Sequence, residues 1–273
     1  MIVVTHLPLP SKLLKVLQSS TVVALCGAGV STASGIPDYR GKDGLWVRSP
    51  KALEGAHISS YLASAELRER AWMERLTSPY RFASPNEAHF ILQRLVLEGR
   101  ISSIVTQNVD GLQSQAGTSS DYLVEVHGNL RKSLCLSCGN TQDMETTLLR
   151  VKAGNHDPRC ETITETGPCG GILKSTAISF GQALDPVTMN RAQKAFESSE
   201  VILVLGSSLT VNPIAANVER WRRAGKVLAI VNLLPTRYDE VADFVVRADV
   251  TDVLRALAES SLSSVAPDGV VPR

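Results

Sequence analysis

The sequence predicts an α/β fold, a mostly parallel sheet covered by helices on both faces. Short β-branched runs recur along the chain, and segments of helical periodicity fall between them. The composition agrees: of 273 residues 44% are apolar and 20% charged, which supplies a sizeable core and argues against disorder. Ser11 is placed to cap a first helix whose Leu13, Leu14 and Leu17 share one face, and the buried-strand run TVVALC follows at 21–26. Further strands are expected at 101–106, 123–126, 201–205, 227–231 and 243–246. Helices are expected over 86–98, 188–198, 213–224 and 251–259, interleaved with them.

Charge and cysteine usage narrow the function classes. Lys and Arg number 28 against 27 Asp and Glu, and a formal charge of +1 argues against a general nucleic-acid binder, which carries a basic excess or stripe. Apolar runs such as 201–205 fall far short of the roughly 20 residues that cross a membrane. The opening MIVVTHLPLP lacks a basic start and is interrupted by Pro8 and Pro10, so it does not read as a secretory signal. Four of the five cysteines are confined to 135–169, a pattern that suits a local metal site in a reducing compartment better than a disulfide framework. The expected location is the cytoplasm, or the nucleus in a source that has one.

Two stretches break the strand and helix rhythm. Residues 41–84 carry Trp46 and Trp72 in a mixed helical pattern, and 130–172 hold the cysteines among polar and Gly-rich sequence. They read as excursions that pack together as a small lobe. Residues 1–40, 85–129 and 173–260 then form the sheet domain, and 261–273 a flexible tail. In such an architecture ligands bind at the carboxyl ends of the parallel strands.

Polar motifs cluster at those ends. Directly after TVVALC comes GAGVSTASG, where Gly27, Ala28 and Gly29 make a tight turn whose N–H groups can face a phosphate. Thr32 stands where a dinucleotide fingerprint has its third glycine, and no acidic residue ends a second strand about 20 residues on, so an ordinary nicotinamide dehydrogenase is not indicated. The turn runs into Asp38, Tyr39 and Arg40, an acid, a ring and a fixed cation suited to a charged, flat ligand; alone they also fit a surface ion pair. Gln107, Asn108 and Asp110 follow the strand expected at 101–106, and His127 follows the next one. Each has a plain alternative as turn chemistry. Together they bring amide, carboxylate and imidazole into one cleft, where a neutral imidazole can take a proton from a ribose hydroxyl. His6, His57 and His89 read as structural or surface residues.

Cys135 and Cys138 form a tight pair, Cys160 and Cys169 a wide one, and the four read as a tetrathiolate zinc site with His156 in reserve. A full thiolate shell leaves no open position, so this metal staples the lobe and does no chemistry. Cys26, beside the glycine turn, reads as buried filler rather than a nucleophile.

GAGVSTASGIPDYRG, TQNVDG, the strand-ending HG, the four cysteines, SFG, GSSLTVNP and IVN stand in the order found in sirtuins. Over about residues 10–260 the chain resembles that family of NAD-dependent protein-lysine deacylases. The resemblance implies a Rossmann-like domain with a discontinuous small lobe, built from a zinc ribbon (130–172) and a helical module (41–84). It further implies NAD contacts at Gly27, Ala28, Gly29, Asp38, Tyr39, Arg40 and Gln107, with Asn108 and Asp110 shaping the nicotinamide pocket. Gly206, Ser207, Ser208 and Asn232 then hold the phosphates and the adenosine ribose. Phe180 and Gly181 are the segment to which the peptide adds as a strand, and His127 is the base. The implied substrates are NAD+ and an acylated lysine on a protein or peptide, and the products nicotinamide and 2′-O-acyl-ADP-ribose. Neither a nucleic-acid sequence nor a membrane is an implied partner.

Some positions depart from the family pattern. Cys26 replaces a Thr, Tyr39 a Phe, Gln113 a His and Gln182 a Glu. The short loop after Arg40 and the widely split second cysteine pair are similar to a sirtuin subgroup that often prefers long acyl chains or shows ADP-ribosyl transfer. Two alternatives follow: a protein mono-ADP-ribosyltransferase on the same fold, or a non-catalytic zinc-ribbon binding module responsive to NAD, in which His127→Ala leaves function intact.

Overall fold

A computed structural model of the chain describes residues 9–37 and 57–260 in full and residues 2–4 as backbone. Asp38, Tyr39 and Arg40, Trp46, His6 and the tail assigned to 261–273 lie outside the described residues. Seven parallel strands form one sheet in the order β1-β12-β11-β10-β2-β3-β4. They are β1 (Ile2–Val4), β2 (Val22–Cys26), β3 (Ser103–Thr106), β4 (Leu123–Glu125), β10 (Val201–Leu205), β11 (Val227–Val231) and β12 (Phe244–Val246).

Alternation along these strands builds two cores. Val22, Ala24 and Cys26 of β2, with Leu203 and Leu205 of β10, face one side, which is covered by Leu13 and Leu17 of α1 (Ser11–Ser19), Leu92 and Leu95 of α5 (Glu87–Leu97) and Leu254 and Leu257 of α10 (Val250–Glu259). Val23, Leu25, Ile202 and Val204 face the other, beneath Phe196 of α8 (Pro186–Ser198) and Trp221 of α9 (Val218–Arg223), whose rings stand 4.3 Å apart. Burial on both faces explains why these strands are continuous apolar runs.

The sequence expectations shift at several ends. Pro10, not Ser11, occupies the N-cap of α1, and no side chain caps it. β3 begins at Ser103 because Ile101 is still tied to the end of α5, its N–H donating to the Leu95 carbonyl. The helix expected over 213–224 divides into a 3-10 turn at Ala215–Asn217 and α9, and the Pro213 carbonyl takes the Asn217 side-chain amide (3.0 Å) rather than a helical N–H. β1 escapes the sequence reading: a three-residue edge strand, in register with β12, has no periodicity to show.

The small lobe combines α2 (Ile58–Ala63), α3 (Ala65–Thr77) and α4 (Pro79–Phe82) with a second group of elements inserted after β4. These are β5 (Lys132–Cys135), β6 (Thr141–Asp143), α7 (Met144–Lys152), the hairpin β7 (Ile163–Thr164) and β8 (Gly167–Pro168), and β9 (Leu173–Ser175). Between β4 and β5, α6 (Leu112–Gln115) having preceded β4, the chain crosses from sheet to lobe. Trp72 of α3 packs with Met144, Leu148, Val151 and Leu173 around Cys135 and Cys160. The two halves are also pinned by Arg68, whose guanidinium meets Asp157 at 2.9 Å and is only 5% exposed. No helix among the described residues is long and apolar enough to cross a membrane.

The two passages between the sheet and the lobe run side by side. Thr176 N–H donates to the Lys132 carbonyl (2.9 Å), Thr176 Oγ1 to the Asn129 carbonyl (2.8 Å) and Ile178 N–H to the His127 carbonyl (2.8 Å). Gly128 sits in this seam with φ +65°, and a Cβ there would lie 2.2 Å from the Thr176 carbonyl oxygen. Gly128→Ala is therefore expected to cost about 1–3 kcal/mol in strain and overlap, read as a melting temperature several degrees lower; an unchanged melting temperature would refute the tight fit.

Candidate functional site

Register gathers the site. Cys26 pairs with Leu205 and with Thr106, Leu205 with Val231, and Thr106 with Glu125, so the carboxyl ends of five strands finish in step. The residues just beyond them, Gly27, Gln107, Gly206 and Asn232, then form one rim. Gly27 N–H donates to the Leu205 carbonyl and Gly29 N–H to the Gly206 carbonyl, both at 2.9 Å. The Gly29 and Gly206 backbones press so closely that a Cβ on Gly29 would lie 2.7 Å from Gly206 Cα. Ala28 heads the 3-10 turn Ala28–Val30 on this bed.

Gln107 ties the rim together. Its side-chain oxygen accepts the Ser207 hydroxyl (2.9 Å), and its backbone carbonyl lies 3.0 Å from His127 Nδ1. A carbonyl only accepts, so Nδ1 carries the proton and Nε2 keeps a lone pair. Burial lowers the His127 pKa, opposed by the Gln107 carbonyl, so the ring is neutral at pH 7. The structure thus holds a neutral, oriented imidazole at the position the sequence singled out.

Asn108 and Asp110 turn inward beneath the glycine turn, both buried. Asn108 Nδ2 donates to the Gly27 carbonyl (3.0 Å) and to Ser31 Oγ (3.1 Å). Asp110 accepts the Ser31 hydroxyl at 2.6 Å and the Leu112 N–H at 2.8 Å. Ser31 also meets His89 Nε2 at 3.3 Å, while His89 Nδ1 accepts the Asn86 N–H at 3.2 Å and completes the capping box of α5. His89 read from sequence as packing alone; here it braces Ser31, which the sequence reading missed. The available signal was the spacing of Asn86 and His89, a cap and its reciprocal acceptor. Cys26 is buried, and burial pushes its thiol up to about 12, so it is filler and no nucleophile.

The remaining rim residues fall on two loops. Ser208 Oγ pairs with Thr210 Oγ1 (2.9 Å), and the Asn232 side chain donates to the Leu234 carbonyl (2.7 Å). Phe180 is 40% exposed, and its carbonyl accepts the Ile58 N–H (3.0 Å) beside a parallel bridge to His57. Gly181 continues that edge with φ +75°.

Away from this rim, the thiol sulfurs of Cys135, Cys138, Cys160 and Cys169 all lie within 4.8 Å of one another. Cys135 and Cys169, like Cys138 and Cys160, have sulfurs 3.7 Å apart. That exceeds the roughly 2.05 Å of a disulfide and fits the edge of a tetrahedron with Zn–S bonds of about 2.3 Å. Ser137 and Cys138 N–H groups point at Cys135 Sγ (3.4 Å each) and would stabilise thiolate there. The donor set fits structural zinc, and exposed His156 takes no part.

A glycine turn under parallel strand ends, facing a neutral imidazole and backed by a thiolate-clamped lobe, defines a dinucleotide-using enzyme with a structural zinc. The chain belongs to the Sir2 family, the sirtuins, whose family model matches residues 27–213. It is 41% identical over 236 residues to NAD-dependent protein deacetylase 2 of Streptomyces coelicolor, covering 86% of this chain and 95% of the relative. An NAD-dependent protein deacetylase of Sulfolobus acidocaldarius is 40% identical over 232 residues, covering 85% of this chain and 86% of the relative. Among solved structures, a Sir2 homologue bound to NAD superposes with TM-score 0.81 at 31% identity, covering 96% of this chain and 97% of the other. A Sir2 complex with a p53 peptide and NAD+ gives 0.78 at 29%, covering 93% and 98%.

Proposed function

We propose that this protein removes acyl groups from lysine side chains of proteins, using NAD+ as co-substrate and giving nicotinamide and 2′-O-acyl-ADP-ribose. The observation that carries the proposal is the His127 ring: neutral, held through Nδ1 by the Gln107 carbonyl, with Nε2 free to accept a proton. NAD+ would supply the ribose: the acyl oxygen would replace nicotinamide at its anomeric carbon, the ribose hydroxyl would then add to the acyl carbon, and one water would be consumed as the lysine amine is released. In this reading His127 Nε2 takes a proton from a ribose hydroxyl, which turns that oxygen into the nucleophile toward the acyl carbon. The turn at Gly27, Ala28 and Gly29 and the Gly206, Ser207, Ser208 and Asn232 rim hold the phosphates and adenosine ribose. Asn108 and Asp110 shape the nicotinamide pocket from below, with Ser31 and His89 as their braces. Phe180 and Gly181 offer the edge to which the client peptide adds. A charge of +1 supports a protein client rather than nucleic acid.

The test is incubation with NAD+ and a panel of acyl-lysine peptides, in which nicotinamide release should keep step with deacylation. Absence of release at every chain length would sink the proposal, and label from NAD+ retained stably on protein would point to ADP-ribosyl transfer instead. The pH profile checks the base independently. His127 acts deprotonated and its pKa is lowered by burial, so the acid limb of kcat/KM is expected to fall below the ordinary histidine value of about 6.5. A limb at or above that value contradicts the assignment.

A further inference from the structure

A pocket of about 290 Å³ lies between the two lobes, behind the turns that carry Asp110 and His127 rather than on the strand-end rim. Its sheet-domain wall is the start of α6, with Gly111 and Ser114. The small lobe contributes Met144 and Leu148, and the crossing segment Leu130 and Lys132. The volume is near the lower end for small-molecule sites, roughly 300 Å³.

The charges in its wall are unequally used. Glu145 is taken by Arg81 through two bonds (2.9 and 2.6 Å), and Asp143 caps α7 by accepting the Glu145 N–H (2.8 Å). The Arg131 guanidinium is spent on three backbone carbonyls, those of Asp110, Arg81 and Ala83. That leaves Lys132, since the Arg75 guanidinium lies over the Trp72 ring and its Nε–H is closed off from the pocket. The Arg75 Nε–H is buried without an acceptor among the described residues, although its other nitrogens reach Ala71 and Ser175. Lys132 is exposed at the pocket and makes no side-chain bond or ion pair among them. A wall with apolar side chains, with Arg75, Arg81, Arg131 and Lys132 against Asp143 and Glu145, and with the Lys132 ammonium holding spare donors, matches a ligand that has an apolar body and one carboxylate.

We propose that this pocket binds a small organic carboxylate with an apolar body, as an effector held between the lobes. Because both lobes wall the pocket, such an occupant favours one lobe arrangement, and any effect on NAD+ affinity must be matched by an equal effect of NAD+ on the effector. This goes beyond the deacylase reading and stands or falls without it.

The experiment is a titration of the full-length, zinc-loaded protein with 3-phenylpropionate, read by amide NMR shifts, against 3-phenylpropylamine, which has the same body and the opposite charge. Saturable shifts are expected at Gly111, Ser114 and Lys132, with the acid preferred at least about tenfold over the amine. Ser114→Trp, at an exposed wall position, should weaken binding at least about tenfold with the melting temperature retained. Lys132→Glu, on an exposed side chain, should do the same should the tryptophan disturb folding. Any of three results overturns the proposal: no shift at millimolar acid, equal binding of the amine, or competitive displacement of the acid by an acyl-lysine peptide, which would make the pocket part of the substrate channel.

Discussion

Replacing His127 with alanine is expected to lower deacylation by about 10²- to 10⁴-fold, the range that a positioned general base supplies. The fold should survive, because among the described residues the ring bonds only the Gln107 carbonyl, and it is part-buried rather than in the core. A more discriminating readout is the order of events. His127 is assigned to the step after nicotinamide leaves, so nicotinamide release with an acyl peptide should persist while free lysine product is lost. Release and deacylation falling together by the same factor would place the ring earlier in the reaction. Full deacylation in the variant would remove His127 from the reaction.

The second large effect is the loss of metal. Structural zinc contributes apparent free energies of about 10–16 kcal/mol in small domains, and here the four cysteines and Trp72 share one small core. Strong chelation, or Cys160→Ser at a buried ligand, should therefore open the lobe and abolish activity. Hydrogen exchange would locate the damage: protection should vanish over β5, α7 and β9 and persist in β10, whose ladders run to β2 and β11. Replacement of zinc by cobalt or cadmium should leave turnover unchanged, since a closed thiolate shell has no place for substrate. Altered turnover with intact protection would overturn that role.

How far the chain could be read in advance depends on the range over which each feature is encoded. β10 and β11 were legible to the residue because both are unbroken apolar runs bounded by polar neighbours, the mark of a strand covered on two sides. The strand-end motifs were equally plain, since a polar group placed directly after a buried run has only the sheet's carboxyl edge to occupy. β1 and the start of β3 were not, as a short edge strand and a tight helix exit carry no periodic signature. The Ser31–His89 contact joins residues 58 positions apart on a turn and a helix, and only the packing of α5 against the glycine turn brings them together. His57 likewise read only as a structural or surface residue, and its bridge to Phe180 went unseen, because a single backbone pairing leaves no mark in composition.

The paired passages at Asn129 to Lys132 and at Thr176 to Ile178 make the thiolate lobe a cassette with entry and exit at one seam. Insertions, deletions or a transplanted ribbon between those stitches leave every rung of the seven-stranded ladder where it was. A protein engineer could use the same seam for grafting, since the sheet's strand ends and the Phe180 edge lie outside it.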